Sequence, residues 1–391
     1  MRVPINYKSP YTQQWSLDIQ RQLAQGWLVD VGYYGNNGIH LPGFLDTNAP
    51  APNAWLNCAA PKSCTSGPNV IQITANTGAG AGGAACNGRP CITTNNTGLL
   101  NILRPYTGYA GSFDFEEIYT SNYHSLQAQV QKRFSGNSLV NFAYTWSHGL
   151  TTDQADRSTG AVIPQSYAAI FPNNYGPNIA DRRHVLTGNF VWDLPWLREQ
   201  HGFLGHILGG WEISGVQTFQ TGLPLNPSVS GANVVDPAGV GCLGNTPCSL
   251  RPDQVSNPDV RGTCATSAPC FHEYSEWYNA GPLTATPALV CYGTARNCIP
   301  YTGQTNIGTT RPGAARGPGF WRTDLGMFKN IRFSERLLGQ LRLETFNTFN
   351  HTNPIQPGLG GSSNSLTSTT FNQVLLARDP RLLQLGLKLN F

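Results

Sequence analysis

Charged side chains are scarce in this sequence. Asp, Glu, Lys and Arg make up 12% of the residues, which is about half of the share usual in soluble globular domains. A helical protein with a water-facing surface needs many more Lys and Glu residues, so the composition argues against that class. The net charge of +4 is spread along the chain without a cluster of Lys and Arg. No nucleic-acid partner is therefore expected.

Long apolar runs are also missing. No stretch approaches the roughly 18 consecutive apolar residues that a transmembrane helix needs. The first ten residues, MRVPINYKSP, lack the basic segment, the apolar segment and the cleavage site of a signal peptide. The sequence therefore predicts neither a membrane-spanning helix nor a signal peptide.

The cysteines indicate an oxidising compartment. Ten cysteines form five local pairs, each enclosing four to six residues, within two segments rich in Gly, Pro and Asn. An even number in each segment predicts disulfides. Structural zinc is the alternative, although its cysteine pairs usually lie two to four residues apart. Pairing within each couple is the simplest prediction, and other connectivities stay open. The couples are Cys58 and Cys64, Cys86 and Cys91, Cys242 and Cys248, Cys264 and Cys270, and Cys291 and Cys298.

Alternation of apolar and polar residues is the dominant pattern, and it predicts β-strands. The last eleven residues are the clearest case, with Leu383, Leu385, Leu387, Leu389 and Phe391 on one face. A length near ten residues suits a tilted strand that crosses a bilayer. The predicted strands lie near 11–24, 27–35, 121–134, 138–148, 182–193, 210–221, 320–333, 340–350 and 381–391. The mixed pattern of 320–333 suggests a bulge there.

The links between the strands alternate strictly between short and long. Short or medium links lie at 25–26, 135–137, 194–209 and 334–339, and long loops at 36–112, 149–181, 222–319 and 351–379. Outer-membrane barrels have short periplasmic turns and long extracellular loops. We therefore expect an all-β fold, an antiparallel transmembrane barrel segment. Both cysteine clusters would then be extracellular.

A secreted, disulfide-stapled β-sandwich, acting as an adhesin or glycan-binding protein, is the alternative, because its strands alternate in the same way. Polar faces rich in Gln, Asn, Ser and Thr favour the barrel, since a water-facing sheet usually carries more Lys and Glu. Under the barrel hypothesis, five charged residues within the strands are expected to face the lumen. They are Asp18, Asp30, Asp324, Arg342 and Glu344.

Motifs for enzymatic chemistry were sought along the chain. No nucleophile elbow, phosphate loop or zinc-protease motif appears, and the sequence predicts no catalytic residues, metal site or cofactor. Asp181, Arg182, Arg183 and His184 stand at the start of a strand. We expect them to form a solvated rim, and the alternative is that they line a substrate route.

Several stretches resemble the C-terminal part of the β-barrel of TonB-dependent outer-membrane receptors, specifically the Oar-like group. The resemblance spans nearly the whole chain and is weakest in the two cysteine-rich loops. The most specific stretch runs from Glu344 to Asn353, with the sequence ETFNTFNHTN. Other matching stretches are YTQQWSLDIQRQL (11–23), VDVGYYGNNGIHLPG (29–43), SNYHSLQAQVQKRFSGN (121–137), DRRHVLTGNFVWDLP (181–195) and RLLQLGLKLNF (381–391).

The resemblance implies uptake of an unidentified solute across the outer membrane of a Gram-negative-type bacterium. The family barrel is of the 22-stranded, plugged class, so residues 1–391 would be a partial barrel without its plug. A TonB-type energy transducer would act through the missing N-terminal part. Either a misplaced start or a longer parent chain would explain why the cysteines predict export although no signal peptide is seen. Leu385, Leu387, Leu389 and Phe391 would form the signal for the barrel-assembly machinery, and outer-membrane lipid would surround the barrel.

Overall fold

A computed structural model gives the architecture. It describes residues 5–48, 105–106, 109, 113–134, 138–152, 174–197, 199–230, 249–250, 253–254, 283–284, 310–333, 337–365 and 368–391. All ten cysteines lie outside these residues, as does most of the loops 36–112, 149–181 and 222–319. The disulfides therefore stay a prediction.

Nine long strands form one antiparallel sheet, in which each pairs with the next along the chain. They are β1 (Tyr11–Ala24), β2 (Trp27–Asp46), β3 (Phe113–Arg133), β4 (Leu139–Thr151), β6 (His184–Asp193), β7 (Trp211–Gln220), β14 (Phe320–Arg332), β15 (Leu338–Phe346) and β16 (Leu382–Asn390). The short strand β5 (Gly176–Pro177) pairs with β4. The all-β fold class is confirmed.

The remaining elements are short. They are the helix α1 (Gly202–Leu208) and the two-residue strands β8 (Pro224–Leu225), β9 (Val229–Ser230), β10 (Ser249–Leu250), β11 (Asp253–Gln254), β12 (Leu283–Thr284) and β13 (Ala315–Arg316). These strands pair as β8 with β13, β9 with β10, and β11 with β12. Among the described residues no helix has both the length and the apolar character needed to cross a membrane.

The register places most of the apolar residues of the nine long strands on the same face. Leu17 lies beside Tyr33, Tyr33 beside Leu126, and Leu126 beside Trp146. At the other side of the sheet, Met327 lies beside Leu343 and Leu343 beside Leu385. We call this side the apolar face and its opposite the polar face. A slip of one residue in any strand would exchange the two faces of that strand, so the agreement fixes the register.

Strand ends show that the sheet is strongly sheared. A row of register partners begins at Trp27, the first residue of β2, and passes through Lys132, Val140, Phe190, Gly215 and Leu325 to Thr345. Thr345 stands about seven positions beyond Leu338, where β15 begins. Seven positions along a strand measure about 23 Å, and the six steps from β2 to β15 measure about 29 Å across the sheet. The strands are therefore tilted by about 40°. Transmembrane barrels have tilts of about 35–45°.

The sheet is open. β1 lies at one end and β16 at the other, and each has a single strand partner among the described residues. Every residue of β1 is exposed, and so is nearly every residue of β16. No second sheet covers the apolar face within the described part of the chain, which argues against the sandwich alternative.

Two strands are longer than expected. The sequence predicts a loop from residue 36, but β2 continues to Asp46, and β3 begins at Phe113. Gly, Asn and Pro between residues 35 and 43 resemble a turn, but pairing with both β1 and β3 extends the strand. The register shifts on either side of Leu41. The first shift coincides with His40, whose φ is 56°, and the second with Pro42, which lacks the N–H of a regular ladder.

Three other expectations about local structure were wrong. β14 carries no register shift against β7 or β15, so the expected bulge is absent from it. β15 ends at Phe346 rather than 350, because Asn347 and Asn350 take left-handed backbone conformations with φ of 52°. The link at 194–209 contains the unexpected helix α1.

Most of the buried apolar core lies beyond the sheet, with Tyr119 of β3 as the exception among the described residues. We call the strand ends that carry long connections the loop end, and the opposite ends the turn end. At the loop end, the described parts of 221–230, 310–319 and 347–380 form a packed layer, the loop-end layer. Its core contains Leu225, Ala315 and Val374, with Phe371 packed against them.

Candidate functional site

The loop end holds a buried carboxylate, Asp181, which lies between β5 and β6. The side chain of Asp181 is 1% exposed. Its Oδ2 accepts a hydrogen bond of 2.6 Å from Nη2 of Arg316, and its Oδ1 accepts one of 2.8 Å from the N–H of Gly149. His148 Nδ1 is 3.2 Å from Oδ1, and Arg183 Nε is 3.3 Å from Oδ2. We call these side chains the Asp181 cluster.

The charge of Asp181 is stabilised by its neighbours. Burial raises the pKa of Asp181, but hydrogen bonds from Gly149, Arg316 and His148 outweigh burial, and the net pKa is lowered. The carboxylate is therefore ionised near neutral pH. The expectation of a solvated rim was wrong for Asp181, because the ends of β4, β6 and β13 enclose it.

Arg316 connects three segments of the loop end. Besides Asp181 Oδ2, its Nη1 donates to the backbone oxygen of Asp181 at 3.0 Å and to that of Gly222 at 3.4 Å. Next to it, Arg182 Nη1 donates to the Thr221 oxygen at 2.8 Å. Arg316 belongs to β13, which pairs with β8. The cluster therefore ties the ends of β4, β6 and β7 to the loop-end layer.

Sequence reasoning missed Arg316, His148 and Gly149 as partners of Asp181. Arg316 is 135 positions away in the chain, and no local spacing relates the two residues. The only available signal was the concentration of charge at Asp181 to His184 in a chain that has few charges.

The stretch Glu344–Asn353 has a structural role at the same end. The Asn347 N–H donates to Asp324 Oδ1 of β14 at 2.8 Å, and Asn347 Oδ1 accepts from the His351 N–H at 2.9 Å. Asn353 pairs with the backbone of Trp321 through both amide atoms, each bond 2.8 Å long. Asparagine favours such turns because it tolerates positive φ and bonds nearby backbone. This stretch therefore fastens the end of β15 to β14.

The polar face carries hydrogen-bonded side chains across several strands. Gln129 Nε2 donates to Asn141 Oδ1 at 2.9 Å, and Asn141 Nδ2 donates to Asn189 Oδ1 at 3.1 Å. Tyr34 donates to Asp18. The predicted lumen residues Asp18, Asp30, Asp324, Arg342 and Glu344 all share this face.

The predicted assembly-signal residues lie on the apolar side of the edge strand β16. Leu385 and Leu387 are 76% and 70% exposed, and Phe391 follows at the turn end, fully exposed. Leu389 pairs with Gly339. Their placement exposes them, and their recognition by an assembly machinery stays a prediction.

A tilted antiparallel sheet with an uncovered apolar face, a polar opposite face and long connections at one end defines the class of outer-membrane β-barrel proteins. The family model described as "outer membrane beta barrel domain" matches residues 1–384. The chain belongs to this family, and its location is the bacterial outer membrane. No curated protein matches the chain. The apolar face is therefore the lipid-facing face, and the loop end is the extracellular end.

Proposed function

We propose that the chain forms part of the barrel of a TonB-dependent receptor of the Oar-like group, which takes up a solute through the outer membrane. The observation that carries the proposal is the open sheet. β1 and β16 do not pair with each other, and backbone N–H and C=O groups at a free edge cannot stay unpaired in hydrocarbon. In the membrane, further strands must close the sheet into a barrel wider than nine strands.

The polar face supports a plugged lumen. Arg342, Glu344 and Lys388 of β15 and β16 stand on it together with Asp18 of β1. Such groups can form ion pairs and hydrogen bonds with a plug. Barrels of about 22 strands are the class in which a plug fills the lumen, and a TonB-type transducer would act on that plug. The role is transport without catalysis or a cofactor.

The size and contacts of the native protein test this proposal. An antibody to residues 351–391 would be used to blot the outer-membrane fraction of the source cells, before and after in vivo cross-linking. We expect a band well above the 42.4 kDa of this chain, and a cross-linked species that contains a TonB-type transducer.

A band at 42.4 kDa that never cross-links to such a transducer would contradict the proposal. The chain would then form its barrel with other copies or other proteins. A large band without the cross-link would preserve the wide barrel but overturn its dependence on TonB.

A further inference from the structure

The link between β6 and β7 differs from the other connections at the turn end. The others join their strands through a few residues, at 25–26, 134–138 and 333–337, whereas residues 194–210 include the helix α1. A periplasmic turn needs only a few residues. The extra length must therefore serve something besides joining two strands.

The link is fixed in place by buried polar contacts. Gln200 is 4% exposed. Its Nε2 donates to the Asn330 oxygen at 2.7 Å, and its Oε1 accepts from the Arg332 N–H at 3.2 Å. Lys329 donates to the carbonyl oxygens of Ile207 and Gly209 at the end of α1. The link is thus anchored to β14, which it does not follow in sequence.

A cavity of about 370 Å³ lies between the link and the sheet. Its walls are apolar side chains of the link and of strands β7 and β14, among them Trp196, Leu208, Trp211, Ile213 and Met327. Ile213 and Met327 are register partners on the apolar face, so the cavity opens on the lipid-facing side. The volume falls within the range of about 300–1,000 Å³ typical of ligand pockets.

Helix α1 adds exposed apolar side chains to those of the strands. Phe203 is 80% exposed and Leu204 66%, although both are large and apolar. Exposed apolar residues on a helix beside tryptophans are typical of segments that lie in the membrane interface. The ammonium of Lys329 donates to two carbonyl oxygens and lies 5.3 Å from the centre of the Trp211 ring. The cavity therefore offers contacts for a hydrocarbon chain.

We propose that this cavity binds one acyl chain of a phospholipid from the periplasmic leaflet of the outer membrane. An acyl chain is the expected occupant, because the walls of the cavity are continuous with the lipid-facing apolar face of the sheet. Trp196 of the link and Leu208 of α1 line the cavity together with side chains of β7 and β14. The proposal depends on membership of the outer-membrane barrel family and does not require TonB-dependent transport.

The test compares two tryptophan substitutions on α1 in the native full-length protein, purified from the outer membrane in mild detergent. Leu208→Trp fills the cavity, whereas Leu204→Trp adds the same bulk to an exposed position outside its lining. Native mass spectrometry after extensive detergent washing counts the retained phospholipid. We expect one phospholipid per chain in the wild type and in Leu204→Trp, and at least about tenfold less in Leu208→Trp.

Failure of the wild type to retain phospholipid would overturn the proposal, as would equal retention by the two variants or retention of free fatty acid alone. Heat-modifiable migration on gels reports whether each variant is folded.

A second measurement applies even if Leu208→Trp does not fold. Phospholipid brominated on its acyl chain is titrated into wild type and Trp196→Phe after the retained phospholipid has been removed. Quenching of the Trp196 contribution should saturate near one lipid per chain. Quenching that rises without saturation would contradict a discrete site.

Discussion

Large apolar side chains stay uncovered along the strands, whereas those of the loop-end layer are enclosed. Leu17 of β1 and Leu385 of β16 are 66% and 76% exposed, but Leu225 of the loop-end layer is 1% exposed. The sheet therefore depends on lipid to cover its apolar face, and the loop-end layer depends on its own packing. The contrast shows that lipid stabilises one region of the chain and that internal packing stabilises the other.

Polar groups follow the same division. On the sheet they form a face of exposed amides and carboxyls, such as Gln129 and Asn141. At the loop end Asp181 and Asn353 are buried and bonded to charged groups or backbone. Buried polar groups that lose a partner are costly, so the loop end should be the more sensitive region to polar substitutions.

The largest expected effect is the loss of the charge at Asp181. Asp181→Asn keeps the shape of the side chain but leaves Arg316 and Arg183 without their carboxylate. Breaking one partner of a buried ion pair costs about 3–5 kcal/mol. Hydrogen exchange at the amides of Gly317 and Asn178, which bond within the loop end, should accelerate accordingly.

The matched control is Glu199→Gln. Glu199 pairs with His201 at 3.2 Å, but both side chains are more than four-fifths exposed, and exposed pairs contribute little. Equal exchange rates in the two variants would contradict a special role for the Asp181 cluster.

Removing a core leucine should be the next largest effect. Leu225→Ala leaves a cavity beside Ala315 and Val374, and such truncations cost about 2–5 kcal/mol. Leu385→Ala should cost less, because acyl chains can move into the space that the shorter side chain leaves. The two losses of stability are compared by thermal unfolding in detergent, or by hydrogen exchange of amides in the loop-end layer. A larger loss for Leu385→Ala would reverse the proposed division between the regions.

A charged side chain on the lipid-facing side should destabilise the sheet, whereas the same charge at the next residue, on the polar face, should be tolerated. Ala128 stands on the apolar face of β3, five positions before the turn-end terminus Arg133, and Gln127 stands beside it on the polar face. Arginine near the bilayer midplane costs about 2–4 kcal/mol on the lipid side. We therefore expect Ala128→Arg to lower folding stability in lipid vesicles by that amount and Gln127→Arg to change it much less. Equal effects would show that the faces are assigned wrongly.

Acid should destabilise the loop end, with a smaller effect than the substitutions above. The pKa of Asp181 is lowered in the folded protein by its hydrogen bonds, against the opposing effect of burial. Stability from a lowered carboxyl pKa is fully present above the unfolded value of about 3.9 and is lost as the pH falls below that value through the folded pKa. Hydrogen exchange at Gly317, corrected for intrinsic rates, should rise in this window. Asp181→Asn should abolish that dependence, and an unchanged profile would contradict the assignment.

The strands could be predicted from sequence because alternation is a local pattern with a period of two. The pattern from 381 to 391 needs no partner to be recognised, and β16 lies at Leu382–Asn390. The far half of β2 could not be predicted, since its Gly, Asn and Pro residues form a strand only when β1 and β3 pair with it. Helix α1 was missed because its seven residues span only about two turns, too short a window for a helical period to stand out, and include Gly202 and Gly205, which disfavour a helix.

The candidate site was less predictable than the fold. The stretch Glu344–Asn353 stood out in the sequence, but only the structure shows Asn353 paired with the backbone of Trp321. The Asp181 cluster depends on Arg316, which the fold brings from a distant segment. The cavity beside α1 likewise needs side chains from two strands and a link.

Labelling by membrane lipid measures which side chains contact the hydrocarbon of the bilayer. Outer-membrane vesicles that contain the native protein would be loaded with phospholipid carrying a diazirine near the end of its acyl chain, illuminated, and analysed residue by residue. We expect labels on Leu17, Leu126 and Leu343 of the apolar face, and none on Asp18, Gln127 or the enclosed Leu225. Equal labelling of both faces, or labelling of the loop-end core, would contradict this expectation.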